Sequence, residues 1–311
     1  MRALLASVAG RYLSRRLTRV LVGLALVATT IAGVAVFANA EELTPERAAA
    51  ARAQRAADVA HCAQVTVGSG GDTFAGDRSR AEAVCRRHIR PEHYDRRLHL
   101  TDLWPADGGD PILAVTTVFL AIAALVGGAS MIGAEWKANT FTTLLTWEPR
   151  RTRLAVAKIA VAGLLAAVIA VALQLVFSAA LLPSVALRGT TEGADALWLR
   201  GATGALLRSA TLTGLAAVVG ASVAMIGRST AAALGVAFAY LAVGEAVVRA
   251  WKPELTEWLV GENSAIFLTG RRLEGVPFER SVVTAALTLA SFALALAAVA
   301  TVTLRRRDVA A

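Results

Sequence analysis

Residues 112–158 read ILAVTTVFLAIAALVGGASMIGAEWKANTFTTLLTWEPRRTRLAVAK. An uncharged apolar run from Ile112 to Ala134 is long enough to cross a bilayer as a helix. A short connector follows that gathers two tryptophans, two acids and a cluster of bases, and a second apolar run begins at Leu154. Two such runs joined by a charged connector indicate a chain that crosses a membrane more than once.

Working outward, the same pattern recurs. The apolar runs are Val20 to Ala40, Ile112 to Ala134, Leu154 to Leu182, Ala202 to Ile226, Thr230 to Ala250 and Val282 to Leu304, which predicts six spans and an all-α membrane protein. The first would rise roughly 31 Å against a hydrocarbon core of about 30 Å. Composition agrees: 56% of the residues are hydrophobic and 18% charged, with a mean hydropathy of +0.57. The net charge of +9 does not indicate nucleic acid, because the bases cluster at the ends of the apolar runs. Ala, Val, Leu and Gly dominate the runs, a composition that suits close helix packing in lipid.

The short flanks set the orientation. Arg2, Arg11, Arg15, Arg16 and Arg19 precede the first span, while Lys137, Arg150, Arg151, Arg153 and Lys158 join the second to the third. Arg228 joins the fourth to the fifth, and Arg305, Arg306 and Arg307 follow the sixth. With six spans these positions share one side, which places both termini in the cytoplasm of a multi-pass plasma-membrane protein. Residues 1–19 carry one stripe of Arg11, Arg15 and Arg19 and another of Leu4, Val8 and Tyr12, read as an amphipathic helix on the inner surface. Ala38-Asn39-Ala40 before Glu41 has the form of a signal-peptidase site. The apolar run ahead of it exceeds a usual signal core, so an uncleaved first span is expected.

The long outer stretch, 41–111, predicts two helices. Thr44 caps one that starts with Pro45 and runs to about Gln64, and Ser79 with Glu82 has the capping-box pattern for another through Arg87. Cys62 and Cys85 are the only cysteines and fall one on each helix, so a disulfide stapling a helical hairpin is expected. Cys85, His88 and His93 also have metal-ligand spacings. A disulfide would remove the thiolates, and no metal site is expected.

Several chemistries find no motif. No glycine-rich phosphate loop ends in Gly-Lys-Ser/Thr, and none of the three lysines, Lys137, Lys158 and Lys252, follows a glycine. The chain has no His-Glu-x-x-His helix and no histidine in any apolar run. An ATPase of the phosphate-loop type and an intramembrane protease are thereby set aside, and no enzymatic activity is expected of this chain. Internal inverted repeats are not visible.

Within the connector, 135–153, Phe141, Leu144, Leu145 and Glu148 follow helical spacing, with Trp136 and Trp147 at either end. Pro149 stops that helix, because proline disfavours helical geometry in the residue before it. On composition alone the helix reads equally as a docking element or as an interfacial helix with its tryptophans at headgroup level.

The pattern Gly-Ala-Glu-Trp-Lys, Asn-Thr, Leu-Leu, Trp-Glu-Pro-Arg-Arg and a distant Lys resembles the first cytoplasmic loop of type-2 ATP-binding cassette (ABC) transporter permeases. Asn139 stands where that family usually has glycine. Asn is the residue that next best tolerates a left-handed backbone. The stretch LHLTDLWPADGGDP before the second span is similar to actinobacterial members. The resemblance implies that Glu135, Trp136, Phe141, Leu144, Leu145, Glu148, Pro149, Arg150 and Arg151 form a coupling helix seated in a cleft of an ATPase subunit. It implies two copies of that ATPase, which bind ATP and magnesium; a homodimer or heterodimer of permease chains; and no cofactor in this chain. It also implies that 251–281, with Trp251 and Trp258, forms an outer gate of short re-entrant helices, after the outer loop 183–201 and before the tail 305–311.

Gln174, Arg208 and Glu245 are polar residues within the apolar runs and are candidates for a substrate path. Their structural alternative is that Glu245 pairs with Arg249 one turn on and Arg208 reaches up to headgroups. The functional alternative is a non-transporting sensor or scaffold whose stapled outer domain does the work, with the spans as anchor.

Overall fold

A computed structural model describes residues 2–40, 44–68, 78–89, 100–103, 112–147, 149–191, 193–270 and 280–306. It is all-α, with no β-strand among the described residues. The helices are α1 (Arg2–Ser14), α2 (Arg16–Asn39), α3 (Pro45–Gly68), α4 (Arg78–His88), the single turn α5 (Leu100–Leu103), α6 (Ile112–Lys137), α7 (Thr140–Trp147), α8 (Arg151–Arg188), α9 (Ala196–Gly227), α10 (Thr230–Phe238), α11 (Glu245–Trp251), α12 (Val260–Thr269) and α13 (Val282–Arg306). A π-helical turn, Ala239–Gly244, joins α10 to α11, and a 3-10 turn, Pro253–Trp258, precedes α12. Six of the helical stretches are long and apolar enough to cross a membrane, and they correspond one for one to the six apolar runs. The protein is a multi-pass, all-α membrane protein.

The chain forms two compact units, 1–32 with 101–180 and 193–311, and 33–100 with 181–192. In the first, α6 and α9 pack so closely that their backbones touch. A methyl group on Gly220 would lie 2.1 Å from the Leu125 carbonyl oxygen, and one on Gly128 would lie 2.3 Å from that of Ala217. Only glycine permits this approach, the usual way helices associate in lipid. Gly220→Ala is therefore expected to separate the two helices and cost about 1–3 kcal/mol. Thermal unfolding of the purified protein checks this, and an unchanged midpoint would refute it.

A large buried hydrophobic cluster lies at one end of this unit. There Val8 and Tyr12 of α1, Met131 and Ile132 of α6, Phe141 of α7, Leu154 and Ile159 of α8, Met225 of α9 and Leu304 of α13 share one buried cluster. A tight turn closes the bundle at that end. Arg228 takes a left-handed backbone (φ 53°), and the Ser229 hydroxyl accepts from the Ala232 amide to cap α10.

The second unit holds the predicted helical hairpin. Thr44 caps α3 by accepting from the Arg47 amide at 3.3 Å. Cys62 and Cys85 are disulfide-bonded, beside a small core of Val59, Ala63 and Ala81. Arg55 donates to the Ile89 carbonyl at 3.1 Å across the hairpin. Elsewhere in this unit Arg188 donates to the Phe37 carbonyl at 2.7 Å and stacks over the Phe37 ring.

Several boundaries differ from the sequence reading. α3 runs to Gly68 rather than Gln64, and α4 starts at Arg78, so Ser79 lies inside its first turn rather than capping it. α8 passes through Pro183 to Arg188, since spans tolerate proline where neighbours satisfy the freed carbonyl. α9 begins six residues before Ala202, where the Asp195 carboxylate accepts from the Trp198 amide at 2.8 Å. The expected single helix over 1–19 is broken at Arg15, between α1 and α2.

Candidate functional site: the connector and the polar groups of the spans

The connector is built on the end of α6. After Lys137 the chain turns through Asn139, whose φ is 52°, in the left-handed region expected of an Asn in glycine's place. The Asn139 amide donates to the Trp136 carbonyl at 3.2 Å, and the Thr140 hydroxyl donates to the Glu135 carbonyl at 3.3 Å. α7 then makes two turns and ends at Trp147, two residues before Pro149. α8 restarts at Arg151.

Beneath this turn lies a buried charge cluster. Glu135 on α6 accepts from Lys158 on α8, whose side chain is 1% exposed. Its other oxygen faces Arg15 at 3.4 Å, and Arg15 also donates to the Ser130 carbonyl at 2.7 Å. One carboxylate thus ties α6 to α8 and to the joint between α1 and α2. Next to it Trp136 stacks on Phe141, with centroids 4.4 Å apart and planes 13° off parallel. Arg228 lies over the Trp136 ring and Lys158 over the Phe141 ring, at 4.9 and 5.4 Å. Burial pushes the Tyr12 phenol up from its ordinary value, with the nearby Arg15 pulling it partly back, so Tyr12 stays a hydrogen-bond donor.

This geometry corrects two readings. Phe141 was expected to reach out toward an ATPase, yet it is 0% exposed and stacked inside the bundle. Helical spacing had grouped it with Leu144, and Leu144 is only half-buried. The side of α7 left open carries Thr143 and Thr146, followed by Pro149 and Arg150. Glu148 and the side chain of Leu145 lie outside the described residues. Second, part of the apolar stripe of α1 packs into the bundle, while Leu13 stays exposed. Val8 and Tyr12 are buried against α6, α7 and α8, and Arg15 leaves the surface stripe for Glu135.

The candidate path residues are not brought together. Gln174 is 1% exposed, and its amide donates to the Thr117 and Ser209 hydroxyls at 2.8 and 2.6 Å. Those hydroxyls bond each other at 2.9 Å, so the three groups join α6, α8 and α9. Glu245 accepts from Arg249 at 2.9 Å and from the Gly261 amide at 2.7 Å, while Arg249 also meets Glu262 at 3.0 Å. That network ties α11 to the start of α12. The Glu245–Arg249 pair is the structural alternative named above. Arg208 is half-buried beside Gly270, and its Nε has no hydrogen-bond partner among the described residues.

The 3-10 turn and α12 supply short helices within 251–281, and Trp251 is 84% exposed. Arg280 is buried there, donates to the Glu257 carbonyl and to the Thr288 hydroxyl, and lies over Trp258. Among the described residues no cluster of three His, Cys, Asp or Glu gathers in a way that could hold a metal, and His93 and His99 lie outside them.

Sequence reasoning missed the partnership of Arg15 with Glu135 and the roles of Arg228, Thr117 and Ser209. Glu135 and Lys158 were visible as charges at the margins of apolar runs, where a buried pair is the low-cost arrangement. The hydroxyls carry no signal, since Ser and Thr recur throughout the spans. No protein-family profile matches the chain, nor does any curated protein or solved structure.

Proposed function

We propose that this chain is the membrane-spanning permease subunit of an ABC exporter. A separate ATPase subunit, two copies per complex, hydrolyses the ATP, and the chain pairs with a second permease chain of the same or another kind. Both termini face the cytoplasm, and α7 is the coupling helix. The observation that carries this reading is the mounting of α7. It is a two-turn helix entered through a left-handed residue, seated on a buried ion pair between α6 and α8, with one side uncovered. Such a helix cannot swing freely. A push on its open side passes through Phe141, Trp136 and the Glu135–Lys158 pair into α6, α8 and the α1–α2 joint together. The resemblance of the connector to that family's loop supplies the partner.

The open side is the place to test it. Thr143→Glu and Thr146→Glu add charge to exposed threonines without touching the core. They are expected to lower capture of the co-expressed ATPase about thirtyfold where the position is a hot spot. His88→Ala, on α4, is the control. Capture equal to the parent, or a parent chain that captures no ATPase, would overturn the proposal. The second outcome would leave the sensor or scaffold reading, for which the disulfide-bonded hairpin speaks.

A further inference from the structure

A slot opens between α2, α6, α8 and α9. Its walls are small or aliphatic, among them Ala25, Leu120, Ala124, Ala170 and Leu173. On α2 it extends from Thr18 to Ala25, on α6 from Leu120 to Gly127 and on α8 from Ala166 to Leu173. Each is eight residues of helix, a rise of about 10 Å. That is roughly two-thirds of one leaflet's hydrocarbon depth, taking half of a core of about 30 Å. α2 is the outlying wall: only 6% of its apolar window is buried, against 39% for α6 and 56% for α9.

The end of the slot nearest α1 is polar. Tyr12 and Thr18 line it, each more than nine-tenths buried. Neither hydroxyl has a hydrogen-bond partner among the described residues. Several hydroxyls elsewhere in the apolar helices bond back to the carbonyl four residues earlier, as Thr29, Thr203, Thr211 and Ser222 do, while Thr213 does not. Two hydroxyls that make no such bond at one end of an apolar slot can donate to acceptor oxygens there. Around that end the acid Glu135 is buried and already held by Lys158 and Arg15, so the exposed charge is positive. Arg16 and Arg19 flank Thr18 and are exposed, and neither α1 nor the first turn of α2 contains an acid.

We propose that this slot holds one acyl chain of an anionic phospholipid from the leaflet on the α1 side. The ester oxygens meet the Tyr12 and Thr18 hydroxyls, and Arg16 and Arg19 meet the phosphate headgroup. The chain lies between α2 and the α6–α8–α9 bundle and covers apolar wall that α2 leaves open. A zwitterionic lipid offers the same chain and esters but no net charge to the arginines. The preference for an anionic head therefore separates this site from general solvation by lipid. The proposal does not depend on transport.

The test uses the full chain reconstituted in bilayers of equal palmitoyl-oleoyl phosphatidylglycerol and phosphatidylcholine. The protein is released into detergent, and the retained lipid is identified by native mass spectrometry. Phosphatidylglycerol should be retained in preference to phosphatidylcholine. Ala25→Phe fills the slot from its most loosely held wall and should abolish retention. Arg16→Gln and Arg19→Gln should each reduce the preference about fivefold. These arginines are exposed, so this pair keeps the test decisive should Ala25→Phe fail to fold. Thr213 of α9 lines the slot with its hydroxyl unpartnered, and an acyl chain gives it nothing to bond. Thr213→Val should therefore leave retention unchanged. Equal retention of the two lipids, retention by a folded Ala25→Phe protein, or loss in Thr213→Val would each overturn the assignment.

Discussion

Glu135→Ala should be among the most damaging single substitutions in the chain. It strands Lys158, almost wholly buried, without a counter-charge, and it releases Arg15 from the same carboxylate. Removing one partner of a buried pair costs about 3–5 kcal/mol, because the remaining charge is left desolvated. Lys158→Met should cost less, since Arg15 still faces Glu135. Combining Glu135→Leu with Lys158→Met should recover most of the loss, because Arg15 is partly exposed and water can reach it. Thermal unfolding of the three detergent-solubilised variants decides the matter. If Glu135→Ala melts with the parent, the pair is not the tie between α6 and α8 that the geometry implies.

The outer hairpin should depend on its disulfide to a similar degree. Its own core is small, Val59, Ala63 and Ala81 beside the cystine. The bond joins residues 23 apart in sequence, and closing a loop of that size contributes about 3 kcal/mol by the chain-entropy estimate. Cys62→Ser with Cys85→Ser should therefore raise the open population of the hairpin about a hundredfold. Trypsin reads this directly, because α3 and α4 are rich in arginine and cleavage tracks the open population when reclosing is fast. Unchanged cleavage in the double variant, or free thiols in protein freshly taken from membranes, would count against a structural bond.

The spans were legible because lipid leaves a chain few choices. Every backbone group must be bonded internally, so a long uncharged run can only be a helix, and the six runs correspond to six helices. α7 was legible for local reasons: Pro149 ends it, and Asn139 takes the positive φ that its place in the pattern implied. What could not be read was facing. Helical spacing tells which residues share a side but not which side turns inward. So Phe141 and the Leu4, Val8 and Tyr12 stripe were placed on outward or lipid-facing surfaces that the bundle in fact encloses. Arg15 illustrates the same limit, since a stripe of arginines looks identical whether all face headgroups or one finds a buried acid. The path residues were no easier to place. A polar residue in a span is costly wherever it lies; Thr117 and Ser209 satisfy the Gln174 amide nitrogen, while its oxygen has no partner among the described residues. The π turn at Ala239–Gly244 left no trace in the residue pattern.

The contacts at Gly128 and Gly220 restrict which motions the bundle can make. Each carbonyl oxygen lodged over a glycine acts as a tooth in a notch. Sliding α9 along α6 by one turn, about 5.4 Å, would set Ala216 or Ala224 against the Leu125 oxygen, where there is no room for a methyl group. Ratcheting is thus barred, while rocking about the two notches keeps both teeth seated. Relative motion of the two helices is thereby reduced to a change of tilt about the paired glycines.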